Sequence, residues 1–384
     1  MDQVSARRPT AGGCPSDSTG KAPPYARIHL RHSRSFAGAC RMTTHIEWTD
    51  ETWNAITGCT KVSEGCEHCY IERTPPFRMA GRRFSLPGIG GTTDLKLHPE
   101  RLVKPLSWRK PRRVFVNSLA DLFHHGVPDE YIARVFAVMG MAPRHTFQVL
   151  TKRHARMRSL LASSAFRVAV LDAAHLIANG EIGTLRVTSA DAADYRRRES
   201  AALNGHADSA LPWPLANVWA GVSVENQEWA DIRIPALLDT PAAVRWLSCE
   251  PLLGPVNLIG QGGDMVGAGI YALPDPTEHD GGEPACQNHG MERCHQGCRF
   301  VDWTVVGGES GPGARAMNLD WARSLVQQCQ AARVPVFVKQ LGAVWASDAT
   351  WNGSPVSHED KKGGEPGYWP TDLQVREYPA EVGS

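Results

Sequence analysis

The 384 residues contain no apolar run approaching the roughly 20 residues that a membrane-spanning helix needs, and the best stretch, near Val135 to Met141, is far too short. Neither sign of charge dominates: 41 basic and 40 acidic side chains give a formal net charge of +1. No global field therefore favours nucleic acid or an anionic surface, and such a contact would need a local patch. A leader with an apolar core and cleavage site is missing, as are internal repeats, a Walker loop and a dinucleotide fingerprint. What remains, 42% hydrophobic and 21% charged residues, is the make-up of an ordinary soluble globular chain. A reducing, cytoplasmic compartment and no membrane partner are the expectation.

What is plentiful is cysteine. Ten are present, and six of them fall in two tight groups, which is how ligands are spaced rather than how long loops are stapled by disulfides. The first group, in "GCTKVSEGCEHCYIE" (58–72), is Cys59, Cys66 and Cys69, separated by six residues and then by two. Three soft ligands without an evident fourth leave a metal corner open, whereas a structural zinc site is closed by four. His68 is the neighbouring candidate for a fourth, but inside the Cys66–Cys69 pair it is expected to point away. The second group, "CQNHGMERCHQGC", offers Cys286, His289, Cys294, His295 and Cys298, a mixture that suits zinc, with an auxiliary iron–sulfur cluster as the rival. Cys249 and Cys329 read as small core hydrophobes, with a catalytic thiol the alternative for Cys249.

Residues 1–41 are rich in Arg, Ser, Gly and Pro and hold no apolar periodicity, so a disordered extension is expected before a folded part that starts at Met42. Strand-like runs follow at 45–49, 113–118, 145–151, 217–224, 243–249, 302–308 and 334–340. Helical stretches lie between them; in 318–334, Leu319, Ala322, Leu325, Val326 and Cys329 recur at helical spacing. This alternation predicts an α/β fold, a partial or complete parallel (β/α) TIM-like barrel over 42–346. An enlarged crossover is expected at 155–214, a metal-binding insertion at 260–300, and an irregular tail over 347–384.

Polar clusters sit in phase with the strand ends, which converge on one face of such a barrel, where active sites are built. Asn117, Ser118 and Asp121 end the second strand as cofactor ligands or turn caps. Lys152 and Arg153 end the third and suit a carboxylate or phosphate, or are solvated loop charges. Glu225 and Glu250 follow the fourth and fifth strands as ribose acceptors, proton carriers or salt-bridge members, and Lys339 and Gln340 end the seventh on similar terms. Gly307, Gly308 and Glu309 open "GGESGPGAR", whose glycines let backbone amides approach a cofactor, with Arg315 able to close on an anionic group. The segment "RLVKPLSWRKPRR" (101–113) is either a track for a nucleic-acid backbone or a solvated connector.

Cys59, Cys66 and Cys69 after a first barrel strand resemble the three-cysteine loop of the radical S-adenosylmethionine enzymes. More closely, "WTDETWNAITGCTKVSEGCEHCY", "VFVNSLADLFH", "FQVLTKR", "VWAGVSVEN", "LSCEPLLGP", "VVGGESGPGAR" and "VFVKQLG" are together similar to a phage-associated family of unknown function, named after the mycobacteriophage gene products thirty-seven and sixty-eight, from residue 43 to 345. The resemblance implies a 4Fe–4S cluster on the three thiols, S-adenosylmethionine on its open iron, and an electron donor as partner. It supplies no substrate, although a nucleic-acid-related one fits the phage link. The wider superfamily spaces its cysteines by three and then two residues and carries its Gly-Gly-Glu element after the second strand, not the sixth. The rival expectation is a zinc-stapled nucleic-acid-binding protein without catalysis. A zinc hydrolase on the same barrel is a third, opposed by three thiolates with no carboxylate base beside them.

Overall fold

Along each long strand the apolar residues point alternately to two different cores. Val114 and Val116 join the helix-packed core while Phe115 joins a second, aromatic one, and the same split separates Val218 and Ala220 from Trp219, and Leu247 from Trp246. Burial on both faces is what a parallel sheet covered by helices requires. The computed structural model describes residues 46–182, 189–204, 209–259, 273 and 300–380. In it, seven parallel strands pair in chain order: β1 (Glu51–Trp53), β2 (Arg113–Val116), β3 (Thr146–Thr151), β4 (Val218–Ser223), β5 (Val244–Cys249), β6 (Trp303–Gly307) and β7 (Val336–Gln340). The sheet curls into a half-barrel whose first and last strands do not pair.

Trp48 reveals the curl. Its ring lies 4.8 Å from Phe115 of β2, 5.3 Å from Trp246 of β5 and 6.2 Å from Trp303 of β6, strands that a flat sheet would hold too far apart for one side chain to reach. The inner floor is thus a stack of aromatic rings, and a Cβ at Gly221 would come within 2.4 Å of the Trp246 ring, so that position admits only glycine. The expected first strand at 45–49 is corrected here. Residues 47–48 form a turn, and the paired strand is Glu51–Trp53. The alternation of Ile46 and Trp48 reflects packing beneath the barrel, not ladder pairing.

The helix layer is built from α1 (Asp129–Met141) after β2, three helices after β3, α5 (Gln227–Leu238) after β4 and α6 (Leu319–Ala331) after β6. The three in the long β3–β4 crossover are α2 (His154–Leu161), α3 (Ser164–Ala178) and α4 (Ser189–Leu203). Caps mark their starts: Asn226 accepts from the Trp229 amide at 3.1 Å, Ser163 from Phe166 at 3.3 Å and Asn318 from Asp320 at 2.9 Å. No single helix among the described residues is long and apolar enough to cross a membrane.

Residues 375–378 cover the free edge of β7. Val338 N–H donates to Val375 O at 2.9 Å and Glu377 N–H to Val336 O at 3.0 Å, while the Tyr378 ring stacks on Trp303 at 5.6 Å and carries the Arg113 guanidinium at 4.1 Å. An edge strand otherwise offers unpaired backbone groups to other chains.

His145, buried before β3, donates from Nε2 to Pro105 O at 3.2 Å. Burial and the Arg144 guanidinium hold its imidazole down to about 4, against an ordinary value of 6.5. Between those values the unfolded chain binds a proton that the folded chain does not, so stability present above pH 6.5 is lost as the pH falls towards 4. The expected loss is on the order of 2–3 kcal/mol. Urea midpoints measured from pH 7 down to pH ~4.5 test this, since His145→Gln should flatten the slope in that window.

Candidate functional site

The cysteine loop leaves the sheet beside the end of β2, where Gly58 N–H donates to Leu119 O at 3.0 Å. Cys59 is tied down by Thr93, whose Oγ1 accepts its N–H at 2.9 Å and whose own N–H returns a bond to Cys59 O at 2.9 Å. Two short 3-10 turns, Glu64–Cys66 and Tyr70–Arg73, then place Cys66 and Cys69, and all three thiols are half-buried and free. Burial pushes Cys59 up to about 12 and Cys69 up to about 11; the charges of Cys66 and Cys69 add to the first rise and that of Cys66 to the second. Burial acts on Cys66 too, but the Lys152 ammonium and the amides of Val62 and Ser63 outweigh it and hold that thiol below its ordinary range. Among the described residues, no three His, Cys, Asp or Glu side chains converge tightly enough to grip one metal ion. Thiolates of a cubane cluster bind separate irons, so they stand farther apart than the ligands of a single ion.

Two cations from the end of β3 face the thiols. Asp121 accepts from Thr151 Oγ1 at 2.7 Å, from Lys152 N–H at 3.0 Å and from Arg153 at 2.9 Å. So held, Arg153 lies 3.8 Å from Cys59 Sγ and donates to Thr60 O at 3.0 Å. Lys152 pairs with Glu225, which is completely buried and also accepts from Ser63 at 2.7 Å and from Arg233 at 2.7 Å. Burial raises the Glu225 carboxyl, yet Lys152 and Arg233 outweigh it and hold the group below the usual carboxylate range.

The remaining candidates gather on the same face. Asn117 takes a left-handed φ of 59° and its Oδ1 accepts from Ile56 N–H at 3.1 Å, tying β2 to the chain after β1. Its Nδ2 is buried with no partner among the described residues. Ser118 hydrogen-bonds Asn54 at 3.2 Å, and its carbonyl accepts from the Tyr70 hydroxyl. Glu250 pairs with Lys339 at 3.0 Å and receives Ser248 at 3.4 Å beside Gly307. Gln340 Nε2 donates to Gly308 O at 2.7 Å, joining β7 to the glycine-rich loop.

Both oxygens of Glu309 accept from Arg315, at 2.7 and 2.9 Å, and Arg315 reaches on to Glu67 at 3.1 Å and to Glu64 O at 3.0 Å. The glycine-rich loop is therefore a clasp on the cysteine loop, and Arg315 closes on the chain's own carboxylates. Cys249 faces the helix layer, fully buried in the main core, as does Cys329. Burial drives the Cys249 thiol well above its ordinary range, so it sits on the packing side of its two readings. Arg112 and Arg113 of the basic connector pair with Glu51 at 2.8 Å and Asp50 at 3.3 Å, at the strand ends opposite the thiols. Cys286, His289, Cys294, His295 and Cys298 lie outside the described residues.

Ser63, Arg233 and Tyr70 join the site without having been singled out in the sequence. Arg233 had a signal: it falls in helical phase with Ala230 and Leu237, a charge on a buried stripe. Ser63 and Tyr70 had none, because a small hydroxyl and an aromatic within a loop are ordinary until a partner is known.

No curated protein and no solved structure matches the chain. A match does exist to a family described as protein of unknown function, DUF5131, over residues 43–367. That span takes in every strand of the half-barrel, the cysteine loop and the clasp that holds it, and the chain belongs to the DUF5131 family.

Proposed function

We propose that this mouth is the site of a radical S-adenosylmethionine-like enzyme, with Cys59, Cys66 and Cys69 holding a 4Fe–4S cluster. One observation carries it: three free thiols, each within electrostatic reach of another, meet Lys152 and Arg153 at the C-terminal end of a parallel half-barrel. Soft thiolates are the donors such a cluster takes, and the two cations offset its negative charge. Asn117 Nδ2, a buried donor without a partner among the described residues, suits a polar group of S-adenosylmethionine, with Ser118 next to it in the chain and Gly307 and Gly308 at the end of β6 as further candidates.

Held by Cys59, Cys66 and Cys69, such a cluster would supply one-electron reductive cleavage of S-adenosylmethionine and hydrogen abstraction from substrate, with an electron donor as partner. The protein supplies orientation and shelter. Trp48, Trp219, Trp246 and Trp303 pack together as an apolar floor within the half-barrel. The Glu250–Lys339 pair presents an acceptor and a donor to whatever enters it. A nucleic-acid-related substrate is proposed on the phage resemblance alone, because the basic connector opens on the other end of the barrel. Zinc is proposed for Cys286, His289, Cys294 and Cys298.

Anaerobic purification followed by iron, sulfide and zinc analysis is the test. Bound iron and acid-labile sulfide are expected, with a paramagnetic signal of the reduced protein that changes when S-adenosylmethionine is added. A colourless protein that carries zinc alone after anaerobic reconstitution would overturn the proposal and favour the zinc-stapled nucleic-acid-binding reading.

A further inference from the structure

The six-residue gap between Cys59 and Cys66 contains a docking element. Ser63 is buried, donates to Glu225 Oε1 at 2.7 Å and accepts from Lys152 Nζ at 3.1 Å. Its Oγ also lies 3.8 Å from Cys66 Sγ. A Cβ at Gly65 would sit 2.5 Å from Glu225 Cγ, so the loop backbone presses directly on that side chain. Glu64 completes the seat, because its carboxylate accepts from Trp229 Nε1 at 2.8 Å. Beneath lies Arg233, stacked 4.0 Å from the Trp229 ring, donating to Ser223 O at 2.8 Å and to Glu225 Oε2 at 2.7 Å. Ser63, Glu225 and Arg233 are each at least nine-tenths buried, so water does not compete for these bonds.

We infer that Glu225 is a positioning residue: it docks Ser63–Gly65, fixes the Cys66 thiol, and holds the Lys152 ammonium beside that thiol so that the two opposed charges set the reduction potential of the cluster. The inference rests on the cluster reading and accounts for the longer cysteine spacing as the length needed to reach Glu225. Net charge and hydrogen bonding near the sulfurs are the levers on such potentials. Lys152 favours the more negative, reduced cluster; Glu225 opposes it.

Two measurements test this. In the reconstituted protein, Lys152→Gln should lower the midpoint potential and Glu225→Gln should raise it. Shifts of opposite sign are not produced by loosened packing, and shifts of the same sign, or none, would overturn the inference while leaving a cluster in place. In the cluster-free protein, Ser63→Ala and Gly65→Ala should speed alkylation of Cys66 roughly tenfold, as loss of one hydrogen bond to a charged group implies, and Ser63→Thr should restore it. Cys59, tied through Thr93, should not change, and equal acceleration at both thiols would mean general unfolding and refute the docking. If wild type binds no cluster but the alkylation result holds, the cluster reading and the potential fall while the docking stands.

Discussion

On the proposed cluster assignment, Cys59→Ala, Cys66→Ala and Cys69→Ala are each expected to abolish the binding of iron and acid-labile sulfide at the barrel mouth, an all-or-none loss. A cluster with three protein ligands and one open corner would have no spare thiolate to keep it when one is removed. The fold should survive, because the three side chains are half-buried on a loop and removing one sulfur there costs ~1 kcal/mol. Cys294→Ala is the control from the second thiol-rich segment and should retain the mouth's signal. Cys329→Ala is the control for packing: it should weaken the core while leaving iron content unchanged, because Cys329 is buried on α6. Retention of full iron and sulfide by any one of the three mouth variants would remove that cysteine from the ligand set. Retention by all three would remove the site.

Six of the seven strands lie within the apolar runs that mark them in the sequence, since each is buried on both faces and its period is not masked by solvent. β1 is the exception, and for a physical reason. Its three residues include Glu51, which pairs with Arg112 at 2.8 Å, so the true strand reads as polar while the turn before it reads as a strand. Residues 375–378 looked like part of an irregular tail because their pairing with β7 is set by tertiary contact and not by local propensity. The gathering of polar strand ends was readable from topology alone. Which of them would spend their charge on each other was not. Glu225 on Lys152 and Glu250 on Lys339 are pairings between strand ends far apart in sequence, and the local pairs Glu309 on Arg315 and Glu225 on Arg233 depend on how loop and helix turn back on themselves.

Glu225→Ala is expected to lower the unfolding free energy by about 3–5 kcal/mol, because it strands the fully buried Arg233 and leaves the largely buried Lys152 without its carboxylate. Arg233 is fully buried and its Nε and Nη2 already lack partners among the described residues, so the carboxylate is its main compensation. Among the described residues, Lys152 Nζ would keep only Ser63 Oγ. Urea denaturation at pH 7 measures the effect, and a loss below ~1 kcal/mol would mean that the network behaves as an exposed one. The triple variant Glu225→Leu, Lys152→Met, Arg233→Met separates two roles that the single variant mixes. A buried ion network replaced whole by apolar side chains of similar volume leaves no uncompensated charge, so most of the lost stability should return. The loop, however, would still lack its acceptor for Ser63. Compared per thiolate, because Lys152→Met also removes a cation that holds this thiol down, Cys66 should therefore be alkylated as fast in the triple variant as in Ser63→Ala. A stable triple variant with a slow Cys66 would show that packing around Gly65 holds the loop, and that the ion network serves the fold but not the thiol.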